Sequence, residues 1–309
     1  MNILILGGGG FIGSHLVDEL LTRNHTIRVL DRAQERYRRS PRSVDYRLGE
    51  YGDSAVLAEA LQGVDIVYHL ASVTVPSTSN LDPPADIAAN LIPSVRLLEQ
   101  MVQLGVSRIV YLSSGGTVYG NPKQVPVAVG QPVNPLCSYG VVKVATEHYL
   151  HMFHELYCLS PLILRASNPY GPRQGHLDVQ GAIATFLHRV IAGEPIQVWG
   201  DGHHVRDYLY VRDLARLCAL VGDSPAVGTF NAGSGIGYSL NAVLDVIAEV
   251  TGELPDVRYG PSRSLDVDAV VLDVSETETR FDWRAEVGLR EGVSLLWEWM
   301  GQCADLRRP

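Results

Sequence analysis

The chain has 309 residues, 46% of them apolar and 19% charged, with a formal net charge of −9. That length predicts one large or two modest domains with room for a substantial core. The acidic balance argues against nucleic acid as a default partner, and no run of eighteen uninterrupted apolar residues predicts a membrane span.

In chain order, Ile3 to Leu6 is a short apolar strand with no basic leader before it, and Gly7 to Gly10 interrupt it. A signal peptide is therefore not expected, and the cytoplasm is the expected compartment. Phe11 to Leu21 follows as a helical pattern, then strands at Thr26 to Leu30, ending at Asp31, and at Val44 to Leu48. Between them Arg32 to Arg42 carries five arginines and reads as a solvated loop. Asp65 to Leu70 is a strand, Asp86 to Leu104 a helix, Arg108 to Leu112 a strand, and Pro161 to Leu164 another after a helix carrying Tyr139. Repeated β-α units of this kind predict an α/β fold with a parallel, doubly wound Rossmann sheet. After Asn168, prolines and glycines loosen the pattern, which predicts a smaller C-terminal substrate-binding domain. The expected division is 1–167 with returning segments at about 206–233, against about 168–205 with 234–309. Cys137, Cys158, Cys218 and Cys303 are widely spaced with no C-x-x-C, so neither a disulfide framework nor a zinc site is expected.

Three motifs carry chemistry. Gly7, Gly10 and Gly13 follow a strand and open a helix, where backbone N–H groups can approach a pyrophosphate. Asp31 ends the next strand, placed to accept from a ribose 2′-hydroxyl, which favours NAD over NADP. The adjacent Arg32, able to meet a phosphate, is the counter-argument. Ser113-Ser-Gly-Gly-Thr-Val-Tyr-Gly120 lies at the carboxyl end of a strand, where ligands of open α/β sheets bind. Tyr139 and Lys143, one of only two lysines, stand four residues apart on a helix. A neighbouring ammonium is expected to lower the phenol's pKa and make Tyr139 a general base.

Together these residues resemble the extended short-chain dehydrogenase/reductase family, within it the nucleotide-sugar epimerase and dehydratase group, over nearly the whole chain. Further landmarks are His69-Leu-Ala71, Arg165-Ala-Ser-Asn168-Pro-Tyr-Gly-Pro, Trp199-Gly-Asp-Gly, Val205-Arg206-Asp-Tyr, Asn231-Ala-Gly-Ser-Gly235, and Arg263 with Asp266. The resemblance implies NAD held by Gly7, Gly10, Phe11, Ile12, Gly13, Asp31, Arg32, Leu70, Ala71, Asn90 and Lys143. It implies a substrate diphosphate on Asn168 and Arg206 with Arg263 beside it, the base near Trp199, and its ribose near Asp266. Val270 resembles the gate of the sugar pocket, and its modest size suits N-acetylated hexoses as well.

Departures from the family pattern narrow the reaction. The usual catalytic hydroxyl position is Gly115, which leaves Ser114 as the first candidate and Thr117 as the second. The dehydratase-type Asp–Glu pair is replaced by Gly116 and Thr117, and no Arg follows Gly171-Pro-Arg-Gln174, where Gly175 stands. A neutral hexose is favoured over a uronate. The resemblance thus implies an NAD-dependent 4-epimerase: Lys143 bonds the nicotinamide ribose and, with the cationic NAD⁺ ring, holds Tyr139 near its deprotonated form, Tyr139 takes the proton of the sugar 4-hydroxyl, Ser114 polarises that oxygen, and a 4-keto sugar turns its other face before reduction. Two other functions are compatible with these residues: a net NAD(P)-linked reductase or dehydrogenase, and a catalytically silent NAD-binding regulator. His148, His151 and His154 read as a polar helix face rather than a metal site, and the Tyr139 helix with the one before it is expected to form a four-helix homodimer interface.

Overall fold

The computed structural model describes residues 1–35, 38–175, 181–262 and 267–305. The first half runs β1 (Asn2–Leu6), α1 (Phe11–Leu21), β2 (Thr26–Asp31), β3 (Val44–Leu48), α2 (Ser54–Ala60), β4 (Ile66–His69), α3 (Pro83–Asp86), α4 (Ile92–Leu104), β5 (Arg108–Ser114), α5 (Ser138–Tyr157) and β6 (Ser160–Ala166). The second half runs β7 (Asn168–Tyr170), α6 (Ala182–Ala192), β8 (Ile196–Trp199), β9 (Val205–Tyr210), α7 (Val211–Asp223), β10 (Gly228–Ala232), β11 (Gly237–Ser239), α8 (Leu240–Thr251), β12 (Val257–Gly260), β13 (Ala269–Val270), α9 (Ser275–Phe281) and α10 (Leu289–Asp305).

Seven strands form one parallel sheet in the order β10-β6-β5-β4-β1-β2-β3. Their side chains alternate between two cores, as a parallel sheet covered on both faces requires. Ile3 and Ile5 face Leu16, Leu20, Leu214 and Leu217 of α1 and α7, whereas Leu4 and Leu6 face Leu57, Leu97, Met101, Leu150 and Phe153 of α2, α4 and α5. The chain changes direction between β1 and β4. There the crossovers to β2 and to β5 leave on opposite sides, so a crevice opens at the strands' carboxyl ends.

The smaller lobe has its own core of Tyr170, Phe186, Val198, Tyr210, Leu244, Leu296 and neighbours. It contains β11-β9-β13 with β7 also paired to β9, and the two-stranded β8–β12 pair. Within the returning segment 206–233, α7 and β10 join the large sheet, while β9 belongs to the small one.

The helix expected from Asp86 to Leu104 is interrupted. Ile87–Leu91 is a π-helical turn, and α4 begins at Ile92. Pro93 supplies the reason, since it has no N–H to continue an α-helical ladder and its ring crowds the preceding turn. The Arg32–Arg42 loop also differs from a solvated one. Arg38 pairs with Asp18 and with the buried Glu35, and Arg173 bonds Asp18 at 2.7 Å.

Beneath the ends of β5 and β6 lies a buried polar network. Arg165 of β6 clasps Glu147 of α5, with Nη2 to Oε2 at 2.6 Å, and Ser113 Oγ donates to Glu147 Oε1 at 2.5 Å. Arg165 Nη1 donates to Tyr119 Oη at 3.0 Å, which donates to Asn231 Oδ1 at 2.7 Å. Removing one partner of such a pair strands the other charge out of water. Arg165→Met is therefore expected to lower the unfolding free energy by about 3–5 kcal/mol in denaturant titration. The double variant Arg165→Met/Glu147→Leu should recover most of that loss.

Candidate active site

At the β1/β4 switch point a cleft of about 930 Å³ is lined by the glycine loop, the ends of β2 and β4, the Ser114–Thr117 turn, Tyr139, Lys143 and Asn168. Its floor is built from glycines because nothing larger fits. Gly7 has φ +83°, and a Cβ there would stand 2.9 Å from the Ala71 nitrogen. A Cβ on Gly13 would stand 2.2 Å from the Gly7 carbonyl oxygen, so α1 packs against the strand only without one. Helix α1 has no side-chain cap and no acidic residue in its first turn. Its leading N–H groups therefore face the cleft unopposed, the arrangement that receives an anionic diphosphate. Asp31 closes the loop, its Oδ2 accepting from Gly9 N–H at 2.9 Å. The cradle fits a dinucleotide on these grounds: glycines at close approach, an uncapped helix start, and a carboxylate at the end of β2.

Gly7, Gly10, Phe11, Ile12, Gly13, Asp31, Arg32, Leu70, Ala71, Lys143, Ser114, Thr117, Tyr139 and Asn168 all line this cleft. Asn90 does not. It stands behind the wall, where its Oδ1 accepts from Val73 N–H at 2.8 Å and its Nδ2 donates to Asp86 Oδ1 at 2.8 Å. Its amide is engaged by the 72–75 loop and Asp86, so in this structure it does not reach the cleft in which the cofactor contact is expected. Trp199 and Arg206 lie on β8 and β9 of the smaller lobe, outside the cleft lining, with Arg206 Nη1 donating to the Val205 carbonyl at 2.9 Å. Arg263 and Asp266 lie outside the described residues. Val270, expected to gate the sugar, is buried among Val118, Tyr119, Val127, Leu272 and Val274 and does not line the cleft.

The two serines separate by their partners. Both border the cleft, but the Ser113 hydroxyl is committed to Glu147, whereas Ser114 is not drawn to that carboxylate, and the Thr117 Oγ1 is buried without a hydrogen-bond partner. Gly115 cannot carry the missing hydroxyl, because its Cβ would stand 2.6 Å from a Leu272 methyl group and 2.9 Å from the Arg165 carbonyl oxygen.

The Tyr139–Lys143 pair is arranged differently from the sequence expectation. Lys143 is buried, its Nζ donates to the Leu112 carbonyl at 2.8 Å, and it lies 5.4 Å from the Tyr139 ring centroid. Burial, then Cys137 and Asp86, push the Tyr139 phenol well above its ordinary value. Burial pulls Lys143 down to about 8 against the opposing pull of Glu147 and Asp86. Within the protein's own charges the lysine does not make the tyrosine a base, since desolvation of the phenolate outweighs an ammonium already tied to a carbonyl.

Sequence reasoning missed Gln174, Arg96 and Tyr51, which also line the cleft, and Asp86 behind it. Gln174 belongs to the Gly171–Gln174 run and was legible there; the others carried no local signal.

The sequence matches the NAD dependent epimerase/dehydratase family over residues 3–233. The chain belongs to that family. A UDP-glucose 4-epimerase of Mycolicibacterium smegmatis is 34% identical over 308 residues, covering 95% of this chain and 96% of that protein. A Thermotoga maritima UDP-glucose 4-epimerase solved with UDP-glucose superposes with a TM-score of 0.93 at 33% identity, covering 98% of this chain and 100% of the other. A Thermus thermophilus UDP-glucose 4-epimerase complexed with NAD gives 0.92 at 34% identity, covering 97% and 99%. No described helix is long and apolar enough to cross a membrane.

Two histidines near the cleft make its stability depend on pH. Burial pushes His15 down to about 4, and burial with the Lys143 charge pushes His69 down to about 3, from an ordinary 6.5. The unfolded chain therefore binds more protons between 6.5 and those values, so their contribution is complete above 6.5 and falls as pH drops. Denaturant titration should show a smaller unfolding free energy at about pH 5 than at about pH 7.5, and His69→Gln should flatten that slope.

Proposed function

We propose that this protein is an NAD-dependent nucleotide-sugar 4-epimerase of the UDP-glucose/UDP-galactose type. The observation that carries the reading is the convergence of Tyr139, Lys143, Ser114 and Thr117 on one wall of a cleft whose opposite end is a glycine-lined anion cradle. Gly7, Gly10, Gly13, Phe11 and Ile12 would hold the dinucleotide's diphosphate end, Asp31 and Arg32 its adenosine ribose, and Lys143 its nicotinamide ribose. When bound, the nicotinamide supplies reversible oxidation at the sugar carbinol carbon.

The chain's own residues do the rest. Tyr139 removes the proton from the sugar 4-hydroxyl and, once the transient 4-keto sugar has turned its other face and is being reduced at C4, returns the proton to the same oxygen. Ser114 donates a hydrogen bond to that oxygen, with Thr117 as second donor. Asn168 sits where the cleft meets the smaller lobe, tied to β9 by its Nδ2 bond to the Asp207 carbonyl at 2.9 Å. We assign it, with Arg206 and Arg263, to the substrate diphosphate, and Trp199 and Asp266 to its nucleoside. Gly116 and Thr117 offer no carboxyl group for dehydration.

The same reading includes a cytoplasmic homodimer. Helix α5 exposes Val141, Met152 and Leu156 on one stripe, with α4 packed beside it, an apolar face suited to a four-helix contact with a second copy. Sedimentation should give a dimer, and Leu156→Glu should shift it toward monomer.

Incubation with UDP-galactose and no added cofactor should form UDP-glucose without accumulating NADH. NADH growth only with added NAD⁺ would indicate a net dehydrogenase instead, and silence across UDP-sugars a binding protein. Tyr139→Phe should lower turnover by about a hundredfold or more while dinucleotide binding persists; wild-type rates in that variant would sink the assignment of Tyr139. Ser114→Ala should cost more in kcat than Thr117→Val.

A further inference from the structure

Asp86 is a carboxylate that nothing in the proposed mechanism uses, and it is completely buried. Its partners place it behind the reacting wall. Oδ2 accepts from Ser138 Oγ at 2.6 Å, and Ser138 immediately precedes Tyr139 at the start of α5. Oδ1 accepts from Thr74 Oγ1 at 2.6 Å and Asn90 Nδ2 at 2.8 Å. It shares a small internal cavity, of about 10 Å³, with Tyr139, Lys143, His69, Tyr111 and Thr146. The three side-chain donors to its carboxylate are all neutral. In the low-dielectric interior a carboxylate so placed acts strongly on the titratable groups nearest to it.

We propose that Asp86 is a positioning residue that sets the proton affinity of Tyr139 and Lys143, holding both in their protonated forms until a cation enters the cleft. This rests on the reading of Tyr139 as the base. The titratable groups that face the pair among the described residues are Cys137 at the N-cap of α5, Glu147 on α5, His69 on β4, Tyr111 on β5, and Asp86 from the far side. His69 is neutral at working pH because burial holds it near 3. Glu147 is already clasped by Arg165. Asp86 is thus the carboxylate of this set that lacks an arginine partner, and it acts on both members of the pair. It favours the neutral phenol on Tyr139 and the ammonium on Lys143.

Asp86→Asn tests this without dismantling the contacts. The amide's oxygen can still accept from Thr74 and Asn90, and its nitrogen can donate to Ser138 Oγ, since a hydroxyl serves in either role. The measurement is the near-ultraviolet tyrosinate titration of the NAD⁺-saturated protein, with Tyr139 isolated by subtracting the matching Tyr139→Phe variant in each background. The midpoint in Asp86→Asn should fall by about one unit, as expected when a like charge leaves a buried neighbour. Both limbs of the pH–rate profile should move down with it, and Asp86→Glu should restore them. Ser138→Ala, which keeps the carboxylate but cuts its link to α5, should leave the titration near that of the wild-type protein. An unchanged midpoint in Asp86→Asn, or equal shifts in Asp86→Asn and Ser138→Ala, would overturn the assignment in favour of a purely structural role. The titration needs no turnover, so a protein that failed to epimerise would defeat the functional reading and leave this one readable.

Discussion

The side of the cleft that carries Ser114, Tyr139 and Lys143 hangs on the buried ion pair between Glu147 and Arg165. Taking both charges out of water costs several kcal/mol per ion, so the pair is weak as a source of net stability. What it supplies is register. Glu147 lies one turn beyond Lys143 on α5, Arg165 lies on β6, and Ser113 at the end of β5 is bonded to the same carboxylate. The helix and the two paired strands are pinned together at one buried point, beside the sheet ladder and the Lys143 bond to Leu112. Because successive strand side chains point to opposite faces, fixing Ser113 inward turns Ser114 toward the cleft. The hydroxyl's availability is thus decided by a contact made one residue away.

The cofactor side depends on a steric constraint rather than an attraction. The Gly7 loop and the β4 end approach so closely that a single Cβ at Gly7 would collide with the Ala71 backbone. Gly13 removes the corresponding obstacle between helix and loop. The same Asp31 carboxylate that is placed for a ribose also accepts from Gly9. On the proposed reading of Asp31 as the adenosine-ribose contact, loop shape and that recognition are coupled through one carboxylate.

Much of this was legible in the sequence because it is local. The strand from Val44 to Leu48 and the helix from Phe11 to Leu21 fall at the expected residues, since each ends at a turn signal or glycine. The glycine loop and the Tyr139–Lys143 spacing likewise report backbone geometry that neighbours in sequence determine. What was not legible depends on partners far along the chain. Asn90 reads as a cofactor contact until Val73 and Asp86 are seen to occupy its amide. Val270 reads as a pocket wall until Leu272 and Val127 close over it. The π-helical turn at Ile87–Leu91 was within reach, because Pro93 is in plain view. The bond between Asp86 and Asn90 across that turn was not.

The sharpest change concerns the pair itself. A Tyr and a Lys one turn apart suggest a base made by its neighbour, yet burial dominates both groups and moves them the opposite way from that expectation. The lysine spends a proton on the Leu112 carbonyl, and carboxylates at 86 and 147 offset its charge. Left to the protein's own charges, Tyr139 stays a phenol. A further positive charge at the nicotinamide end of the cleft is what would tip it, and only the oxidised form of the dinucleotide carries one. Proton removal is then conditional on an electron acceptor being in place, which is the condition an epimerase needs if it is not to strand a deprotonated sugar with nowhere to send its electrons.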